Sequence, residues 1–117
     1  MKTLLRLEEL AMLAFSIGFF DFLEMNWWLY PAFFFAPDIG MLGYLVNTKV
    51  GAFTYNLTHH KAIGVTLIFF GAMVKQEAIV FAGIIIIGHS SFDRILGYGL
   101  KHTDNFKHTH LGWIGKK

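Results

Sequence analysis

Apolar residues run through this chain in four long blocks separated by short polar breaks. The blocks lie at 4–23, 27–46, 50–73 and 77–96. Each is close to the ~20 residues that an α-helix needs to cross ~30 Å of hydrocarbon. The purest runs are 62–74 and 78–88, the latter with Ile84, Ile85, Ile86 and Ile87 in succession. An isoleucine run also suits a buried strand. No turn clusters recur at strand spacing, however, and lipid favours the helix, whose backbone bonds are all internal. The expected fold is all-α: a polytopic membrane protein with four transmembrane helices over 1–100 and a short polar C-terminal tail over 101–117. Pro31 and Pro37 fall in the second block. Each lacks a backbone donor and disfavours helix in the residue before it, so Pro37-Asp38-Ile39-Gly40 is expected to break or kink that helix. Irregular backbone at membrane depth has to face protein or water, which points Asp38 to the bundle interior or its mouth. Glu8 and Glu9 interrupt the first block and no small-x-small site follows, so it does not read as a cleaved signal peptide.

Composition agrees. Of 117 residues, 55% are apolar and 15% are charged, against about 25% charged in an ordinary soluble domain. So little polar side chain does not coat a small soluble globule, and the apolar content excludes disorder. No cysteine is present, which removes disulfides, thiolate metal sites and a cysteine nucleophile. Lys2 and Arg6 flank the first block, Lys49 lies between the second and third, and Lys101, Lys107, Lys116 and Lys117 lie in the tail. The turn after the first block carries Asp21 and Glu24 and no base, while Lys75 beside Glu77 breaks the pattern. Lys and Arg accumulate on the cytoplasmic side, so both termini are expected there, in a bacterial-type inner or plasma membrane. Trp27, Trp28 and Tyr30 fit an aromatic belt at the interface. The expected partner is membrane lipid. Nucleic acid is not expected, because no basic stripe with interleaved aromatics appears. A bundle of four short spans is thin, which leaves room for a homo-oligomer.

Ionisable groups inside spans are expensive, so those present carry information. They are Glu8, Glu9, Asp38, His59, His60, Lys61, His89, Asp93 and Arg94. Asn56 and His59 are three apart and His89 and Asp93 four apart, so each pair sits one turn apart on one helical face. Imidazole with carboxylate suits zinc, iron or manganese, and bundles build such sites from facing helices. The candidate ligands of a divalent metal are Asp38, His59, His89 and Asp93, with His110 joining if the tail folds back. Plainer readings stand beside this one. His60 and Lys61 can snorkel, Glu9 can pair with Arg94, Asn56 can bridge helices, and His102, His108 and His110 can decorate a solvated tail.

The stretches Leu5-Arg6-Leu7-Glu8, Ala36-Pro37-Asp38-Ile39-Gly40-Met41-Leu42-Gly43-Tyr44, Tyr55-Asn56-Leu57-Thr58-His59, Phe92-Asp93-Arg94-Ile95-Leu96-Gly97-Tyr98-Gly99-Leu100-Lys101 and Thr109-His110-Leu111-Gly112 resemble the DUF4260 family. The resemblance implies a small integral membrane protein and supplies no activity. Its motif positions are Glu8, Asp38, Asn56, His59, His89, Asp93, Arg94, Tyr98 and His110. A weaker similarity, in Pro37-Asp38, His59 and His89-x-x-x-Asp93, is to membrane-bound metal-dependent hydrolases. By that analogy the protein would hydrolyse a lipid-like phosphate or ester. The metal ligands would be Asp38, His59, His89 and Asp93, Glu8 or Glu9 would serve as base, and Arg94 and Lys101 would hold an anionic head group. Asn56 joins Glu8, Glu9 and Arg94 among the catalytic candidates. The alternatives are a module that binds or transports protons, ions or small molecules, and a small structural membrane subunit.

Overall fold

The computed structural model describes residues 2–105 and 107–114; Lys116 and Lys117, named above for the tail, lie outside the described residues. Five α-helices account for most of the chain: α1 (Lys2–Phe22), α2 (Leu29–Phe33), α3 (Thr48–Thr58), α4 (Lys61–Met73) and α5 (Glu77–Leu96). A 3₁₀ segment, Ala36–Leu45, follows α2, and the tail closes in a small antiparallel hairpin pairing His108 with Trp113 and Thr109 with Gly112. The all-α expectation holds, and the first and last predicted helices stand close to their predicted limits.

The second block breaks beside Pro37 as expected, and the third is corrected, since it is not one continuous helix. The second divides between α2 and the 3₁₀ segment, with Pro37 at the start of the latter. The third ends at Thr58, and α4 restarts at Lys61 with the His60 side chain accepting from the Ala62 N–H. Apolar composition does not register such a break, because the residues on both sides remain apolar. Among the described residues, one helix, α5, is long and apolar enough to cross a membrane.

α5 is the axis of the fold, packed against α1 on one side and α4 on another, while α3 packs on the 3₁₀ segment. The α4–α5 contact depends on Gly64 and Gly83. A Cβ on Gly64 would stand 2.9 Å from the Gly83 carbonyl oxygen and 2.7 Å from Ile87 Cγ1, so the two backbones meet where neither has a side chain. Gly88 instead leaves room for two side chains, Tyr30 of α2 and Ser16 of α1, whose hydroxyls hydrogen-bond to each other at 2.5 Å. The apolar core, Phe20, Val80 and Ile84, sits along the first half of α5. The second half carries the buried polar residues His89, Ser90, Ser91 and Asp93. Large apolar side chains cover much of the outside, among them Phe22 at 88% exposed and Leu45 at 84%.

The tail is docked rather than free. Asn56 grips the Lys101 peptide at both ends: its amide donates to the Lys101 carbonyl at 2.8 Å, and its oxygen accepts from the Lys101 N–H at 2.6 Å. His108 stacks between His102 and Trp113, with ring centroids 4.0 and 4.5 Å away. His102 stays exposed and His108 partly so, but both rings have stacking partners within the tail.

Candidate metal centre

Both helix breaks lie beside the same four side chains. Pro37 has no N–H, so it cannot donate to the Phe34 carbonyl in 3₁₀ register, and the Asp38 N–H goes to Phe35 instead, at 3.0 Å. The Phe34 carbonyl is thus left for His89, whose Nδ1 donates to it at 2.9 Å. At the other break the His59 N–H bonds to Asn56, which frees the Tyr55 carbonyl, and His59 Nδ1 donates to it at 2.8 Å. A carbonyl only accepts, so each ring carries a proton on Nδ1 and turns Nε2 inward, the nitrogen that bears the lone pair in the neutral ring. This is the tautomer that metal-ligating histidines take when a backbone carbonyl orients them.

The inward atoms form a closed ring. His59 Nε2 is 3.2 Å from Asp38 Oδ1 and 3.4 Å from Asp93 Oδ2. His89 Nε2 is 3.1 Å from the same Asp38 oxygen and 3.3 Å from the same Asp93 oxygen. One ligand atom from each of Asp38, His59, His89 and Asp93 lies within 4.8 Å of the others. Ligand atoms ~2.0–2.1 Å from a tetrahedral ion stand about 3.3 Å apart, and the four ring edges are near that spacing while the two diagonals lie within 4.8 Å. Two carboxylates facing two nitrogen lone pairs are four acceptors with no donor between them. Such a group requires positive charge at its centre, from protons or from a cation. A buried Asp/His/His/Asp group of this kind could hold a metal ion.

The surroundings hold the ligands still. Tyr55 stacks on His59 with centroids 3.8 Å apart and donates its hydroxyl to Asp93 at 3.3 Å. Phe34 and Phe35 each pack on His89 at 5.6 Å. His59 and His89 are at most 1% exposed and the Asp93 side chain 11%, whereas that of Asp38 is 42% exposed, so the centre has one open side.

The other candidates lie elsewhere. Glu8 is exposed on α1. Glu9 is paired with Lys61, not with Arg94. Arg94 donates to the His59 carbonyl at 3.2 Å and to the Tyr98 carbonyl at 3.1 Å. Asn56 holds the tail, and its place on α3 no longer shares a continuous helical face with His59. His110 does fold back, but its Nδ1 accepts from the Leu100 N–H at 2.8 Å and it is not among the four clustered residues. Lys101 is buried with its ammonium 4.7 Å from the Tyr55 ring centre, and that burial pushes its amine below the usual range. Tyr55 was missed by reading ionisable groups alone. Its spacing of four from His59 was the available signal.

A model of the family described as a domain of unknown function, DUF4260, matches residues 2–114. The chain belongs to the DUF4260 family. No curated protein and no solved structure matches it. The DUF4260 match spans all four clustered side chains and the docked part of the tail.

Proposed function

We propose that this DUF4260 protein is a membrane-embedded metalloprotein, with Asp38, His59, His89 and Asp93 as ligands of a divalent zinc, iron or manganese ion. The observation that carries the reading is the pair of Nδ1–carbonyl bonds, which aim both Nε2 lone pairs at two carboxylate oxygens. Bound there, the metal would act as a Lewis acid and lower the pKa of a water toward ~7. The open side at Asp38 admits that water and a substrate, as catalytic sites require. Tyr55 fixes Asp93, and the Phe34 and Phe35 rings limit water around His89.

The reaction this favours is hydrolysis of a phosphate or ester bond in a lipid-like molecule. An apolar cleft of about 430 Å³ supports the substrate class. It is lined by Phe33, Ile85 and Ile86 and extends to Pro37 and Thr58, the chain neighbours of Asp38 and His59. In the membrane reading α1 and α5 cross as whole helices. The pairs α2 with the 3₁₀ segment and α3 with α4 form two interrupted spans, with Pro37 and His59 buried at the breaks. Residues 1–100 are then the transmembrane domain, and 101–117 lie with both termini on the cytoplasmic side.

Elemental analysis of purified protein tests the centre: about one metal per chain is expected. His89→Ala combined with Asp93→Ala is expected to abolish that metal while the helical circular dichroism persists. A chelator-sensitive release of phosphate or fatty acid from short-chain lipids, absent in the double variant, is the expected activity. Wild-type protein that folds normally and retains no metal after incubation with zinc, iron or manganese removes the reading.

A further inference from the structure

The bundle end where α1 and α4 begin and α5 finishes holds a cavity of about 470 Å³ that the metal centre does not use. Lys2 and Arg6 of α1, Lys61 of α4 and Arg94 of α5 all line it, with Glu9 the one carboxylate among the lining residues. Glu9 is paired with Lys61 and also acts on Arg94, so one carboxylate offsets only part of the charge of the four cations. Low-dielectric walls concentrate such a field on whatever enters. Arg94 is held in place by its two bonds to the His59 and Tyr98 carbonyls, which use two of its five N–H donors. Leu5 and Leu111 add apolar wall to the same cavity.

A ligand that satisfies all of this carries more than one negative charge, offers oxygens to planar guanidinium forks and has an apolar portion. We propose that the cavity binds the phosphate group of a phosphomonoester, with Lys2, Arg6 and Arg94 as its anion-holding residues. Guanidinium pairs phosphate in a bidentate manner, and a phosphomonoester brings nearly two negative charges and three acceptor oxygens where a carboxylate brings one charge and two. Arg94 also donates to the carbonyl of the ligand residue His59, so the phosphate site and the metal centre share a wall. As a binding site the cavity stands whether or not the centre holds a metal. As the place for a substrate's phosphate it rests on the hydrolase reading.

Calorimetric titration of the full chain in dodecyl maltoside separates these. The probes are dihexanoyl phosphatidic acid, dihexanoyl phosphatidylcholine and inorganic phosphate. Phosphatidic acid is expected to bind about tenfold or more tightly than phosphatidylcholine, both in wild type and in the His89→Ala, Asp93→Ala variant. The Lys2→Gln, Arg6→Gln variant, altered only on the exposed start of α1, is expected to lose about tenfold of that affinity with unchanged circular dichroism. Inorganic phosphate binding as tightly as phosphatidic acid assigns a free phosphate rather than a lipid head group and keeps the site. Equal affinity for the two lipids with no phosphate binding overturns the proposal, and so does phosphatidic acid binding untouched by the Lys2→Gln, Arg6→Gln change. Retained binding with lost metal would separate this site from a failed metal centre.

Discussion

At the scale of single residues the centre depends on which nitrogen of each histidine bears the proton. Two backbone carbonyls, of Tyr55 and Phe34, make that choice, and both are available because a helix stops beside them. Tyr55 adds a ring against His59 and a hydroxyl on Asp93. Removing that hydroxyl by Tyr55→Phe leaves all four ligands in place, so metal is expected to bind still, with affinity lowered about tenfold to a hundredfold. A competition assay with a chromogenic chelator reads this directly. All four clustered residues could be named from residue type, but spacing joined only His89 and Asp93, one turn apart on a helix that forms as predicted. Their partners were not legible in that way, since Asp38 is 51 residues from His89 and only folding brings the two to 3.1 Å.

At the scale of elements, close packing at glycine holds the axis helix to its neighbour. A Cβ on Gly83 would run into the Gly64 carbonyl and stand 2.9 Å from the Ile68 backbone nitrogen, so neither obstacle is a side chain that can turn away. Gly83→Val is expected to destabilise the protein by ~1–3 kcal/mol, read from the midpoint shift in a denaturant titration in detergent. The tail is a second element with its own condition. Burial pushes the His110 imidazole below its usual range, and Arg94 nearby pushes the same way. Its Nδ1 must stay unprotonated to accept from the Leu100 N–H. A docked state with a lowered pKa binds fewer protons than the free one, so docking is fullest above the free value of ~6.5 and weakens as pH falls below it. Limited proteolysis of the tail is expected to accelerate between about pH 7 and pH 5. His110→Gln is expected to remove that dependence.

At the scale of the whole molecule, the outer surface is apolar on many faces, with Trp27 78%, Phe69 68% and Phe53 67% exposed in addition to Phe22 and Leu45. So much exposed apolar area calls for lipid or a partner to cover it. If lipid covers it, the expressed protein fractionates with membranes and resists alkaline carbonate extraction, and a tag on either terminus stays protected from protease added outside the cell. Release into the soluble fraction by carbonate would count against the membrane reading. Both the acid-histidine cluster and the basic cavity involve the same end of the fold, where His59, Lys61 and Arg94 come together.

Much about this protein was decided by local chemistry alone. In the proposed membrane setting, the apolar blocks make helices because a backbone without water satisfies itself only internally. Pro37 interrupts one of them because it lacks a donor. The polar residues too expensive to scatter in such a chain announced a shared site. The break at His59 and His60, the Phe34 and Tyr55 carbonyls as histidine partners, the Asn56 clamp on Lys101 and the Lys61–Glu9 pair were decided only in three dimensions. Each of these is a contact between segments whose separation along the chain, or whose escape from a regular hydrogen-bond ladder, carries no periodicity. Their energies become favourable only once the packing of α5 against α1 and α4 has brought the backbones together.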